Sequence, residues 1–214
     1  RICIFSIAAL SIYGVQQFCH SRTDGFSILK IRTAPPATSF TKVDKEIYTI
    51  LSQPMRYIGR GGQCYAFVTE DDKYVVKLLK YNNNYPKIWF RLFPYPFGLE
   101  KYRQAKIAHK KNKLADEYAS YDIALTHLKK ETGIVYFHLN KGDLKETTIS
   151  IKDKIGIQHT LPIDKYQFYI QKKGTPFYPG LQEMINAGKI DSAKAVIDEL
   201  ISFLFARCEK KITD

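Results

Sequence analysis

Between Met55 and Leu79 three short β-type runs follow one another with only tight turns between them. Met55 to Ile58 leads into Gly59-Arg60-Gly61-Gly62-Gln63, and Cys64 to Thr69 then alternates large and small residues. Glu70-Asp71-Asp72-Lys73 makes an acidic turn, after which Tyr74-Val75-Val76-Lys77-Leu78-Leu79 is rich in β-branched residues. Turns this short join antiparallel neighbours, because a parallel return needs a crossover of a dozen or more residues. The stretch therefore fixes a β-meander early in the chain. Lys77 stands inside an apolar run, and burying an ammonium without a partner is costly, so its place needs a reason.

The rest of the chain is read around that meander. Asp44 to Gln53 suits a short helix with Ile47, Ile50 and Leu51 on one face, ended by Pro54. Residues 81–98 are irregular and aromatic, with Pro86, Pro94 and Pro96. Residues 99–131 lack Pro and Gly and predict a long helix whose stripe is Leu114, Tyr118, Tyr121, Leu125 and Leu128, ended by Gly133. Ile134 to Leu139 predicts a strand, Thr147 to Lys152 and Ile157 to Ile163 a hairpin around Asp153-Lys154-Ile155-Gly156, and Tyr166 to Gln171 a further strand. Two helices close the chain, about Pro179 to Ala187 and Asp191 to Lys211. The second has Asp191 as N-cap and a stripe of Val196, Ile197, Leu200, Ile201, Leu204 and Phe205. The fold class expected is α+β, a twisted antiparallel sheet packed by one long helix and followed by helices.

The chain has 214 residues with 45% apolar and 25% charged residues, ordinary globular usage that excludes disorder over most of its length. Its four cysteines (Cys3, Cys19, Cys64 and Cys208) form no C-x-x-C pair, which argues against a zinc site or a disulfide framework. His20, His109, His127, His138 and His159 show no ligand spacing, and no G-x-S-x-G suggests a hydrolase. Net charge is +12, from 33 Lys and Arg against 21 Asp and Glu. It favours an anionic partner or is simply a basic solvated surface. No RNA-binding aromatic motif or zinc knuckle is present, so nucleic acid is not expected.

The sequence opens on Arg1, which is expected of a fragment, a processed product or an incomplete gene model. Ile2 to Val15 is nearly all apolar but short for a bilayer span. Three readings stay open: an uncleaved membrane anchor, a signal remnant (with export if cleaved), and a buried helix of the fold. Ser21 to Phe40, with Pro35-Pro36, reads as a linker. The organisation expected is an apolar anchor or signal remnant over 1–20, a linker and short helix over 21–53, the sheet-and-helix lobe over 54–174 and terminal helices over 175–214.

A glycine-rich turn upstream of a strand Lys gives that Lys a reason. Exposed backbone N–H groups can cover phosphates, and glycine allows close approach and positive φ. With this order of elements the sequence resembles the N-terminal lobe of protein kinases. Gly59-Arg60-Gly61-Gly62-Gln63-Cys64 matches the first two glycines of G-x-G-x-x-G-x-V, and Val75-Val76-Lys77 stands where the family has V-A-I-K. More closely, residues 24–214 resemble a group of kinase-like proteins with an N-terminal apolar anchor found in chlamydia-type bacteria.

The resemblance implies that Gly59, Gly61, Gly62 and Lys77 bind the phosphates of ATP and that a helix Glu holds Lys77 in place. Glu117 is the first choice for that Glu, with Glu100 and Glu131 as alternatives. It also implies a hinge at Gln171 to Gly174 over the adenine, and that residues 175–214 begin a truncated helical C-lobe. The sequence departs from the family in several places. Cys64 replaces the third glycine, and is either a reactive thiol over the nucleotide or a small half-buried residue filling the glycine's place. Ala66 replaces the following Val, and only 18 residues separate Gly59 from Lys77. No H-R-D-x-x-x-x-N and no D-F-G occurs within these residues, so Mg²⁺ is expected only in a longer chain. Two functions follow as expectations: a kinase-like nucleotide-binding region, and a non-catalytic pseudokinase-type scaffold. Ordinary readings stand beside them. Gly61-Gly62 can be a plain hairpin turn, and Lys77 a snorkelling edge Lys. The basic run Lys101, Arg103, Lys106, Lys110, Lys111 and Lys113 is either a solvated helix face or an anionic-membrane contact.

Overall fold

In chain order the elements are α1 (Ile2–Thr23), α2 (Lys45–Leu51), β1 (Met55–Arg60), β2 (Cys64–Thr69), β3 (Tyr74–Leu79), α3 (Glu100–His127) and α4 (Lys129–Thr132). Then come β4 (Ile134–His138), β5 (Thr148–Lys152), β6 (Gln158–Pro162), β7 (Phe168–Lys172), α5 (Phe177–Asn186) and α6 (Ile190–Glu209). This computed structural model describes residues 2–36, 43–81, 100–142 and 144–209. The aromatic segment read over 81–98 lies, beyond Tyr81, outside the described residues, as do residues 210–214.

The fold is α+β. Seven strands form one sheet in the order β4-β7-β3-β2-β1-β5-β6. It is mixed rather than wholly antiparallel. β1 pairs in parallel with β5 through Met55↔Ile151 and Arg56↔Lys152, while the other pairs run antiparallel. The β5–β6 hairpin thus lies beside β1, although in sequence it falls between β4 and β7. Hairpin loops set local register, but nothing in their composition says which distant edge a hairpin will join.

Strand alternation gives the sheet two apolar faces. Tyr65, Phe67, Val76, Leu78, Phe168 and Ile170 share a core with Ile47, Ile50 and Leu51 of α2 and with Ile149, Leu161 and Ile163. On the other face Val68, Val75 and Leu79 are also buried, and Lys77, Tyr169 and Phe137 lie there by register. α3 packs on this second face, with Tyr121 against Phe137 at 4.9 Å between ring centroids. The long helix expected over 99–131 breaks at Leu128 (φ −127°, ψ 25°) and resumes as α4, and Gly133 at φ 64° ends it.

Three expectations need correction. The supposed linker is part of the fold. Ile31, Arg32 and Ala34 are buried, and residues 31–33 run between the end of β3 and the start of β7. There the Arg32 N–H donates to Leu79 O at 2.7 Å, and Arg32 O accepts from the Gln167 N–H at 2.8 Å. Composition concealed this, because one strand-like turn of chain with a charged residue carries no periodic signal. Second, among the described residues no helix is long and apolar enough to cross a membrane. The apolar run passes into Gln16, Gln17, His20 and Arg22, and residues 11–22 are all exposed. The membrane anchor is therefore withdrawn. Third, Asp191 lies in the first turn of α6, 3.9 Å from Lys194, rather than capping it. The stripe on α6 does face one way, yet Ile197, Ile201, Leu204 and Phe205 are exposed.

Candidate functional site

The β1–β2 turn is short because its strands close directly on each other. The Gly61 N–H donates to Cys64 O at 2.9 Å, and the Lys80 N–H extends the ladder to Gln63 O at 2.9 Å. None of Gly59, Gly61 and Gly62 has a positive φ, so the left-handed conformation expected of this turn is not used. A Cβ at Gly59 or Gly62 would meet nothing within 4 Å, and one at Gly61 would meet only Cys64 Sγ at 3.8 Å. Neither backbone conformation nor packing asks for glycine here. What Gly61 and Gly62 supply is a bare, exposed backbone, while Gly59 is half-buried within β1.

Cations surround that backbone. On the β3 side Lys80 Nζ donates to Gly61 O at 2.7 Å and lies 5.1 Å from the centre of the Tyr65 ring. Burial pushes the Lys80 ammonium below its ordinary value, and the nearby positive charges of Arg60 and Lys30 push it the same way. Arg60 donates to Asp24 O at 2.8 Å, which ties the turn to the chain following α1.

Lys77 occupies the opposite face. It pairs in register with Ala66 on β2 and Tyr169 on β7, and its ammonium stands 5.3 Å from the centre of the Tyr169 ring. Half-buried Cys64 shares this face beside Tyr169. Burial pushes the Cys64 thiol up, and the Lys77 and Lys80 charges only partly offset it. A thiol held protonated is a poor nucleophile, which favours the small half-buried reading of Cys64 over the reactive one. Burial likewise raises Tyr169, with Cys64 adding to the effect.

Glu117 does turn inward from α3, as its place beside the stripe predicts. Its carboxylate, however, pairs with Arg32 at 3.1 Å, and among the described residues no ion pair joins it to Lys77. Arg32 is 0% and Glu117 9% exposed. The Tyr121 hydroxyl donates to Glu117 as well, and burial together with that carboxylate raises the tyrosine. The alternatives also lie elsewhere: Glu100 pairs with Arg103 one turn on, and Glu131 is exposed on α4. The expected Lys–Glu pairing is thus replaced by an Arg–Glu pair whose Arg comes from the segment read as a linker. Sequence reasoning missed Arg32 for that reason. It missed Lys80 because nothing set it apart from other surface lysines.

At the expected hinge, Gln171 Nε2 donates to Thr132 O at 2.7 Å. The Lys172 and Lys173 N–H groups donate to Gly133 O and Lys73 O, both at 2.8 Å. β7 ends at Lys172, one further backbone bond ties Lys173 to Lys73, and residues 173–176 are irregular. Half of the basic run, Lys101, Lys111 and Lys113, is exposed on α3, while Arg103, Lys106 and Lys110 are half-buried, with Lys106 over the Tyr102 ring. Among the described residues no group of three or more His, Cys, Asp or Glu gathers where a metal ion could be held. His138 is buried against Phe168, and its Nε2 lies 3.2 Å from Asp164 O.

No family model, curated protein or solved structure matches this chain.

Proposed function

We propose that this protein is a protein-kinase-like lobe that binds a nucleoside triphosphate such as ATP through its phosphates. The observation that carries the reading is the glycine turn. Gly61 and Gly62 leave exposed backbone at a corner flanked by Lys80 and Arg60 on one face, with the Lys30 charge nearby and Lys77 on the other face. An anion is the ligand for which such a corner is chemically suited. The order of elements supports the same reading. Along β1-β2-β3-β7-β4 the sheet is antiparallel, and α3 enters between β3 and β4 and lies on the Lys77 face. That is the arrangement the kinase resemblance implies, with β5–β6 as an added hairpin.

In this reading the Gly62–Gln63 backbone and Lys77 hold the phosphates, and irregular chain from Gly174 lies nearest the base. ATP supplies a polyphosphate anion. The residues described here orient it, and no phosphoryl-transfer step is assigned to them. The test is a thermal-shift titration with ATP, ADP and inorganic triphosphate, with and without Mg²⁺. Saturation at a hundredfold over Kd should add about 2.7 kcal/mol to stability. Lys77→Met should abolish the shift while leaving the unliganded melting temperature within a few degrees. Absence of any shift would overturn nucleotide binding.

The second reading is a non-catalytic scaffold without nucleotide. It is favoured by the exposed apolar face of α6, where Phe205 is 68% exposed. It stands if the titration is flat and the protein remains folded.

A further inference from the structure

The geometry points to Arg32 as the residue that positions helix α3, in place of the strand lysine, so that Lys77 holds its ligand independently of the helix. The inference rests on the nucleotide-binding reading for what Lys77 does, but not for what Arg32 does.

Arg32 is fixed before it meets Glu117. Its N–H donates to Leu79 O and its carbonyl accepts from the Gln167 N–H, so two strands clamp its backbone. Its side chain passes from this clamp to α3 and ends 3.1 Å from Glu117 Oε1. Glu117 is gripped a second time by the Tyr121 hydroxyl, one helical turn further on. Tyr121 continues to Phe137 and Phe137 to Tyr169, each at 4.9 Å between centroids, and Lys77 rests over Tyr169. Nearby, Tyr118 of α3 exchanges hydrogen bonds with Gln167, the residue that also holds the Arg32 carbonyl. The helix is thereby fastened at two adjacent residues, Glu117 to Arg32 itself and Tyr118 to Gln167, whose backbone N–H holds the Arg32 carbonyl.

Chemistry favours Arg for this task. A buried carboxylate needs a partner that stays charged when desolvated. A guanidinium does so, whereas an ammonium shifts its pKa readily on burial. Breaking such a pair by removing one member leaves the other charge stranded. With Glu117 satisfied by Arg32, Lys77 has an aromatic ring beneath it instead of a carboxylate. Among the described residues no carboxylate pairs with it, and its positive charge is left for an anion. Motion of α3 would not be required to deliver it.

A double-mutant cycle on the full chain tests this, using urea unfolding. Arg32→Met and Glu117→Gln should each lower stability, and the double variant should lose far less than the sum, with a coupling of about tenfold or more in the unfolding constant. Lys77→Met combined with Glu117→Gln should be additive. If Arg32→Met does not fold, Arg32→Lys against Glu117→Asp gives the same cycle with smaller steps.

Two further readouts separate positioning from general stability. Amide exchange should accelerate selectively at residues 114–121 in Arg32→Lys. The ATP Kd of Glu117→Gln should stay within about threefold of the parent, a change of under 1 kcal/mol. Coupling of Glu117 to Lys77, additivity of Arg32 with Glu117, or collapse of ATP affinity in Glu117→Gln would each overturn the inference. If ATP binds none of these proteins, nucleotide binding fails, while the Arg32–Glu117 coupling still decides the positioning role.

Discussion

At the scale of single residues the protein separates glycines its fold needs from glycines it does not. Gly133 ends α4 at φ +64°, where an L side chain is strained. Gly62 has an ordinary φ and open space around it. Gly133→Ala should therefore cost about 1 kcal/mol, whereas Gly62→Ala should be neutral or slightly stabilising through the unfolded chain. If the turn covers phosphates, the ranking reverses for binding. Gly62→Val should weaken ATP by roughly tenfold or more because it screens the backbone, and Gly133→Ala should leave affinity unchanged. Urea unfolding and nucleotide titration of the same variants check both halves. A destabilised Gly62→Ala would mean that the turn needs its glycine for folding, and the argument for a ligand there would lose its basis. The same scale shows what the sequence hid. Glu117 could be placed on the inward side of α3 from spacing alone, but its partner could not. Arg32 lies 85 positions away in a stretch with no periodic pattern, and an ion pair of that separation leaves no local trace.

At the scale of elements the instructive case is the segment after α1. Read by composition it is a linker. In the structure it closes a row of backbone hydrogen bonds between β3 and β7 and buries Ile31 and Ala34. Its start is also anchored, by the Tyr65 hydroxyl on Gly25 O at 2.8 Å and by Lys154 on Asp24 at 2.6 Å. The Lys154 hydrogen bond and charge hold the Asp24 carboxyl below its ordinary range, consistent with a working contact. α1 differs, since residues 11–22 are all exposed. The two should therefore separate on truncation. Removing residues 1–23 should shift the melting temperature by only a few degrees, about what 1 kcal/mol produces in a domain of this size. Removing residues 1–36 also deletes Arg32 and strands the buried Glu117 carboxylate. At about 3–5 kcal/mol for a broken buried pair, the melting temperature should fall by about 10 °C or more. Adding Glu117→Leu to the shorter chain should recover part of that loss, because it removes the stranded charge. Equal melting temperatures for the two truncations would return residues 24–36 to the status of a linker.

At the scale of the molecule, legibility followed the reach of each signal. The meander over residues 55–79 and the helices were readable because hairpin turns and helical stripes are local. The parallel β1–β5 contact was not, because it joins residues about a hundred positions apart and depends on which edge the hairpin meets. The membrane expectation failed in another way, since an apolar run says that a segment is greasy but not how its flanks continue. The stripe on α6 was read correctly as a stripe, yet a stripe does not say what covers it. In the structure Ala193 is the buried residue of α6 among those described, while Ile197, Ile201, Leu204 and Phe205 face outward. A helix with so little burial cannot share the stability of a sheet whose central strands are enclosed on both faces. Native-state hydrogen exchange should show this directly. Amides of β2, β3 and β7 should exchange only through global opening, while those of residues 194–205 should exchange about a hundredfold or more faster through a local one. The ratio should hold as protein concentration is varied. Protection of α6 that rises with concentration would show that a second copy covers the stripe. Protection equal to that of β3 at every concentration would mean that the chain itself covers it, and α6 would then belong to the same cooperative unit as the sheet.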